Sequence, residues 1–310
     1  MTREQLISEI NRLRKEKSAV ILAHYYQIPD IQDIADVVGD SLALAQWAEK
    51  TDAKILVVCG VHFMGETAKI LSPDKKVLIP DATAGCSLAD SCPANEFQRF
   101  VEQHPDHTVI SYVNTTAAVK ACTDIVVTSS NARKIVDQLP KNEKIIFGPD
   151  RNLGGYINAV TGREMLLWNG ACHVHERFSA IALKALKAEY PNAIALAHPE
   201  CNKGIIEQAD VVGSTQALLN SAVANPEKTY LVATESGILH EMQSRCPNTR
   251  FIPVPPEGND NGCNVCDYMR QNTLEKLYLC LRDETPAVEV DAAIRERAVK
   301  PIHRMLEMSK

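Results

Sequence analysis

An internal threefold repeat constrains this chain more than any other feature. Ala23-His24-Tyr25-Tyr26, Ser111-Tyr112-Val113-Asn114 and Ala197-His198-Pro199-Glu200 align with one another. Twelve residues beyond His24, Tyr112 and His198 stand Asp36, Asp124 and Asp210, opening DVVGDS, DIVVTSS and DVVGST. Ser41, Ser129 and Thr215 follow five residues later. The intervals between repeats are 88 and 86 residues. A solenoid repeats every roughly 20–50 residues, so the longer period describes a triplicated domain.

Each repeat alternates short β-branched runs with helical segments. The strand candidates are AVILAH, VVG, KILVVCG and KVLIP, then TVISYV, DIVVT, KIIFG and EMLLW, then AIALAH, DVVG, TYLVA and RFIPV. Apolar strands joined through helices call for parallel sheets covered on both faces. The expected fold is α/β: three repeated αβα-sandwich domains with parallel sheets around a pseudo-threefold axis. The predicted division is residues 1–85 with the N-terminal helix, 86–171, 172–260, and 261–310 as a third cysteine segment with C-terminal helices that close the ring. Length alone, at 310 residues, suggests about two domains; the repeat overrides that expectation. Longer helices are predicted over 93–103 and 174–190. The last helix, about 290–309, is expected to be disturbed at Pro301.

A net charge of -6 gives no general attraction to nucleic acid. No apolar run reaches membrane-spanning length, and the opening MTREQLISEINRLRKEK reads as an amphipathic helix rather than a signal peptide. The expected location is therefore cytoplasmic, where thiols stay reduced, and ten cysteines there point to metal binding or catalysis. Cys59, Cys122, Cys201, Cys246 and Cys280 also read as small core or helix residues.

Ligands of open parallel sheets bind beyond the carboxyl ends of the strands. His24 and Tyr26, Tyr112 and Asn114, and His198 and Glu200 all fall at the end of a first strand. Ser41, Ser129 and Thr215 fall after the second strand, at expected helix starts. Capping alone explains a single such hydroxyl; three at one aligned place, beside polar strand ends, favour binding. Helix N-termini suit carboxylates and phosphates. Asp36, Asp124 and Asp210 are expected to fix the helix-to-strand turn. Arg151 reads either as an anion contact or as the partner of an interdomain carboxylate. Met64 reads equally as core or as pocket lining.

One cysteine closes each repeat after a glycine-containing turn: Cys86, Cys172, and Cys263 or Cys266. Three such thiolates suit zinc, or three irons of a [4Fe–4S] cluster with the fourth left open as a Lewis acid. Matching Gly85-Cys86 to the third repeat favours Cys263.

AHYYQIPDIQDIAD, VGDSLALAQWA, CGVHFMGETAKIL, SYVNTTAAVKA, GPDRNLG, AHPEC, VGST, ATESGILHEM and CDYMRQNTLEKL together resemble the quinolinate synthase family, in order and over almost the whole chain. The resemblance implies a central [4Fe–4S] cluster on Cys86, Cys172 and Cys266, the last because the family's ligand precedes an aromatic-Met pair like Tyr268-Met269. It implies condensation of iminoaspartate with dihydroxyacetone phosphate to quinolinate, with loss of phosphate and two waters, in NAD biosynthesis. It also implies that His24, Ser41, Tyr112, Asn114, Ser129, His198, Glu200 and Thr215 position substrate. Tyr26 and Glu200 are the expected acid–base pair, supported by His198 and Tyr112. Transient contact with an aspartate-oxidising enzyme fits an unstable imine. The alternatives are a zinc-dependent lyase or hydrolase on the same three cysteines, and a thiol redox sensor built on Cys263 and Cys266.

Overall fold

The structure, a computed structural model, describes residues 1–259 and 262–310. The expected boundary at 260/261 lies outside the described residues. Among the described residues, twelve strands form three four-stranded parallel sheets. In chain order they are β1 (Ala19–His24), β2 (Val37–Gly39), β3 (Ile55–Cys59), β4 (Lys76–Leu78), β5 (Thr108–Tyr112) and β6 (Ile125–Val127), then β7 (Ile145–Gly148), β8 (Leu166–Leu167), β9 (Ile194–Ala197), β10 (Val211–Val212), β11 (Thr229–Ala233) and β12 (Arg250–Pro253). The sheet orders are β2-β1-β3-β4, β6-β5-β7-β8 and β10-β9-β11-β12, so one topology occurs three times. β3 is buried throughout, as are β1 and β5 apart from one partly buried residue each; strands covered on both faces read as continuous apolar runs.

The three aligned aspartates do the turn work expected of them. Asp36, Asp124 and Asp210 each accept a 2.8 Å side-chain hydrogen bond from the backbone N–H of Ile21, Val109 and Ala195, fifteen residues back. Each returns its own N–H to the same residue's carbonyl at 2.9 Å. This double link fixes where the second strand of each sheet enters beside the first, and with it the position of Ser41, Ser129 and Thr215.

Two helical expectations are corrected. The segment 174–190 is not one helix. His173–Glu176 and Ala180–Glu189 are separate, because Ser179 turns out of the helix and caps the second through a 3.1 Å bond from Ala182 N. The last helix, Ala292–Met308, runs through Pro301 without interruption. Proline removes one donor there, but Ala298, Pro301, Ile302 and Met305 are buried on one face, and that packing outweighs the loss. The two C-terminal helices also diverge. Leu274–Asp283 packs beside the N-terminal helix Arg3–Glu16, whereas Ala292–Met308 packs on the second repeat, against β6. Asn131 donates to the Ser309 hydroxyl at 2.8 Å at that end. Among the described residues, no helix is long and apolar enough to cross a membrane.

Candidate active site

The first-strand ends share a local conformation. In the first repeat, Nδ1 of His24 accepts the Tyr26 N–H at 3.1 Å; in the third, Nδ1 of His198 accepts the Glu200 N–H at 3.4 Å. A neutral ring whose Nδ1 accepts carries its proton on Nε2. Burial keeps both rings neutral, lowering His24 to about 4 and His198 to about 3. The tight turn at each strand end turns the last residue of the aligned segment, Tyr26 or Glu200, back toward the interior.

The hydroxyl positions differ from the capping reading in an informative way. Helix Ser41–Lys50 is capped by Asp40 and helix Thr215–Ala224 by Ser214, through bonds from Ala43 N and Ala217 N. Ser41 and Thr215 are thus first helical residues, with side chains not consumed by the cap. In the second repeat Thr128 stands in the capping place, but the helix begins only at Ala132, so Ser129 lies in the preceding turn and not at a helix start.

Hydrogen bonds connect these groups across the repeats. The Tyr26 hydroxyl bonds Thr215 Oγ1 at 2.8 Å and Thr234 Oγ1 at 2.7 Å. Thr234 meets His175 Nε2 at 3.0 Å, and His175 Nδ1 lies 3.1 Å from Glu200 Oε2. Glu200 Oε1 accepts from the Tyr112 hydroxyl at 2.6 Å. Side chains from all three repeats therefore form one chain of polar contacts. Burial pushes the Tyr26 and Tyr112 phenols well above their ordinary range, so both stay protonated. Burial also opposes the charge on Glu200, but the adjacent His175 ring and the Tyr112 hydroxyl outweigh it and hold the carboxyl below its usual value.

Two buried carboxylates sit at matching places, two residues past the third strand of their sheets. Asp150 accepts from Leu153 N at 2.7 Å and Cys172 N at 3.3 Å. Glu235 accepts from Gly237 N at 2.6 Å and Cys266 N at 3.1 Å. Each anchors the backbone of a cysteine. Gly237 must be glycine: a Cβ there would lie 2.8 Å from Cα of Tyr26.

Cys86 and Cys172 each precede a one-turn helix, and Cys266 precedes a short 3-10 turn. Burial pushes the thiols up, Cys86 to about 12 and Cys266 to about 11. Against it, the amides of Leu88 and Ala89, of His175, and of Tyr268 and Met269 face the sulfurs of Cys86, Cys172 and Cys266. Cys263 differs from Cys266. It is exposed and lines a separate surface groove with Ile181 and Leu186. Between them, Asn264 is buried and donates to Val174 O at 2.6 Å, while its carbonyl accepts from Ser236 N at 3.1 Å. That anchor turns Cys263 outward and Cys266 inward, opposite to the placement suggested by aligning Gly-Cys pairs.

A single cleft is lined by His24, Tyr26, Ser41, Cys86, Tyr112, Asn114, Ser129, Cys172, His198, Glu200, Thr215 and Cys266, every site residue expected from the sequence. Met64, Phe63, His173, Tyr268 and Met269 also line it. Arg151 stands outside, pairing with Glu176 of the third repeat at 2.7 Å. Sequence reasoning missed His175, Glu235, Asp150 and Thr234. The signal for Asp150 and Glu235 was their shared place after the third strand, in GPD and TES.

The model of the family described as quinolinate synthetase A protein matches residues 8–307. The chain is 57% identical over 305 residues to the quinolinate synthase of Chloroherpeton thalassium, covering 98% of this chain and 95% of that one. The Thermosynechococcus vestitus enzyme of the same name is 57% identical over 304 residues, with 98% and 95% covered. For Microcystis aeruginosa the identity is 56% over 306 residues, with 99% and 96% covered.

The chain belongs to the quinolinate synthase family.

For a quinolinate synthase, the composition of the cleft is notable: among the described residues, no lysine or arginine lines it. An anionic ligand would be met by hydroxyls, amides and imidazoles. Asn114 Oδ1 is buried without a hydrogen-bond partner, and a buried polar atom left unpaired costs about 1–3 kcal/mol.

Proposed function

We propose that this protein forms quinolinate from iminoaspartate and dihydroxyacetone phosphate, releasing phosphate and two waters, in NAD biosynthesis. The observation that carries the reading is the convergence of three thiols with Tyr26, Tyr112, His198 and Glu200 on one cleft, in a chain that aligns with quinolinate synthases over nearly its full length. An aspartate-oxidising enzyme is the natural source of the unstable imine.

The donor set fits a [4Fe–4S] cluster. Three thiols come one from each repeat, and backbone amides face all three sulfurs, the hydrogen bonding that tunes such clusters. Cys86, Cys172 and Cys266 would hold it. When bound, it supplies a Lewis-acidic iron without a protein ligand.

The remaining chemistry falls to the side chains. Ser41, Ser129, Thr215 and Asn114 offer neutral donors and acceptors to the carboxylates and phosphate. His24 and His198, kept neutral by burial, present Nε2–H groups as further donors. Glu200, ionised in the resting site, is the base that removes a proton from carbon or nitrogen of the condensing substrates. Tyr26, protonated and placed between Thr215 and Thr234, is the acid that delivers one to a departing hydroxyl. The Thr234–His175 contacts join the two, so a proton taken at Glu200 has a hydrogen-bonded route back to Tyr26.

A second reading has one specific observation behind it. Sγ of Cys172, a ring nitrogen of His175 and a carboxylate oxygen of Glu200 lie within 4.8 Å of one another, a donor set suited to zinc and to a zinc-dependent lyase. It leaves Cys86 and Cys266 unused. The thiol-sensor reading leaves the whole cleft unused.

Anaerobically purified protein, supplied with dihydroxyacetone phosphate and with iminoaspartate made from oxaloacetate and ammonia, is expected to accumulate quinolinate. Its iron and sulfide should each approach four per chain, with little zinc. Zinc in place of iron, with no quinolinate formed, favours the second reading and overturns the first.

A further inference from the structure

Lys120 is the most deeply buried ammonium among the described residues, with 0% of its surface exposed. Among the described residues, no carboxylate forms a salt bridge with it. Its Nζ donates to the carbonyls of Val113, at 2.8 Å, and Thr115. Those two residues flank Asn114, whose side chain lines the cleft with Oδ1 unpartnered. Lys120 also lies 5.4 Å from the centre of the Phe63 ring, another cleft residue.

The first repeat contains the same device with a different side chain. Lys120 stands eight residues after Tyr112, and Gln32 stands eight after His24. Gln32 Nε2 donates to Tyr25 O at 3.0 Å and Gln27 O at 2.7 Å, the carbonyls flanking Tyr26. It also reaches Gly237 O at 2.9 Å, tying the first repeat to the third beside Tyr26. In the third repeat the corresponding residue is Ile206, which has no donor. There Asn152, from the second repeat, donates to the Glu200 carbonyl at 3.0 Å. An ammonium and an amide have little shape in common, yet they serve the same two acceptors at aligned places. Packing alone explains neither, since methionine would fill the volume without burying a charge.

We propose that Lys120 and Gln32 are positioning residues, a repeated clamp that grips the backbone on both sides of Asn114 and Tyr26 and fixes the direction in which those side chains meet the substrate. The inference rests on the quinolinate synthase reading above and names the groups that set its binding geometry.

The clamp is tested with Lys120→Met, Lys120→Gln and Asn114→Ala in cluster-loaded protein. The readouts are the dissociation constant for quinolinate by calorimetry, kcat and KM separately, and iron content. Lys120→Met is expected to fold and keep its iron, to bind quinolinate about tenfold or more weakly, and to lose about 100-fold in kcat/KM, the scale of a small misplacement. Lys120→Gln, which supplies the amide used in the first repeat, should stay within about threefold of wild type in quinolinate affinity. In the Asn114→Ala background, Lys120→Met should change the affinity little further, because the lysine acts through Asn114. An unchanged affinity and KM in a folded Lys120→Met overturns the clamp. So does equal weakening by methionine and glutamine. If Lys120→Met fails to fold, Lys120→Gln decides: near wild-type binding supports the clamp, and about tenfold weaker binding contradicts it. Wild-type protein that neither makes nor binds quinolinate removes the functional reading and the clamp with it, whereas an active wild type with an indifferent Lys120→Met removes the clamp alone.

Discussion

The Tyr112 phenol donates a 2.6 Å hydrogen bond to Glu200 across the junction of the second and third repeats. Burial, and then the charge of Glu200 itself, keep the proton on the phenol. The carboxylate therefore rests ionised at 2% exposure, with His175 on its other oxygen at 3.1 Å. A buried carboxylate held in this way can take up a proton only when the substrate supplies one. This is the reason for placing the base at Glu200 and not at His198, whose Nδ1 lone pair is taken by the Glu200 N–H and whose Nε2 carries the proton.

Glu200→Gln preserves the shape and the bond from Tyr112 but removes the base. Turnover is expected to fall by about 100-fold or more, with iron and sulfide per chain unchanged. Assaying kcat alongside metal content checks this, and near-normal turnover in a fully loaded variant removes Glu200 from the chemistry.

Tyr26→Phe deletes the hydroxyl shared by Thr215 and Thr234. The ring still packs, so the fold persists. The expected change is a loss of about 100-fold in kcat with quinolinate affinity altered by less than about threefold. A variant that binds poorly and turns over normally would make Tyr26 a binding group and not an acid.

Much of this was legible in the sequence because the chain states its site three times. A strand end, an aspartate twelve residues on and a hydroxyl five beyond that recur, and the sheets place them at the same edge. What the repeats do not share was invisible. Val61, Asp150 and Glu235 occupy one place in the fold, and only two of them are acids. Gln32, Lys120 and Ile206 occupy another, with two donors and one alkyl side chain. His175 was hidden inside an apparent long helix, because the residues around Ser179 continue the apolar pattern through a real break. Repeat alignment by itself pointed to Cys263 and not to Cys266 for a related reason. The segment 262–272 is not part of a repeated sheet, so no repeat alignment governs it. Asn264 and Glu235 do.

The two nearby cysteines separate cleanly by experiment. Cys266→Ser is expected to lose most of the iron and sulfide and the visible absorption of the cluster. Cys263→Ser, altered at an exposed position outside the cleft, should retain them. The reverse pattern would restore the ligand that repeat alignment alone suggests.

Lys120 carries a pH signature of its own. Burial lowers it to about 8 from 10.5, while Glu66 and Cys86 pull it in the opposite direction. Below pH 8 the lysine is protonated whether folded or unfolded, and the full burial cost is present. Between about 8 and 10.5 the folded protein releases the proton first, so the unfolded chain binds more protons and stability rises with pH. The gain is of order 3 kcal/mol at most. Compared at pH 7 and pH 10, the difference in thermal midpoint between wild type and Lys120→Met should therefore shift in favour of wild type. A difference that does not vary with pH contradicts the assignment.

The most direct measurement is the stoichiometry of products released by cluster-loaded wild type and by Cys266→Ser, given iminoaspartate and dihydroxyacetone phosphate. The account predicts quinolinate and inorganic phosphate in equal amounts from wild type, and neither above background from the variant. Equal quinolinate formation by both proteins, or phosphate released without quinolinate, would contradict it.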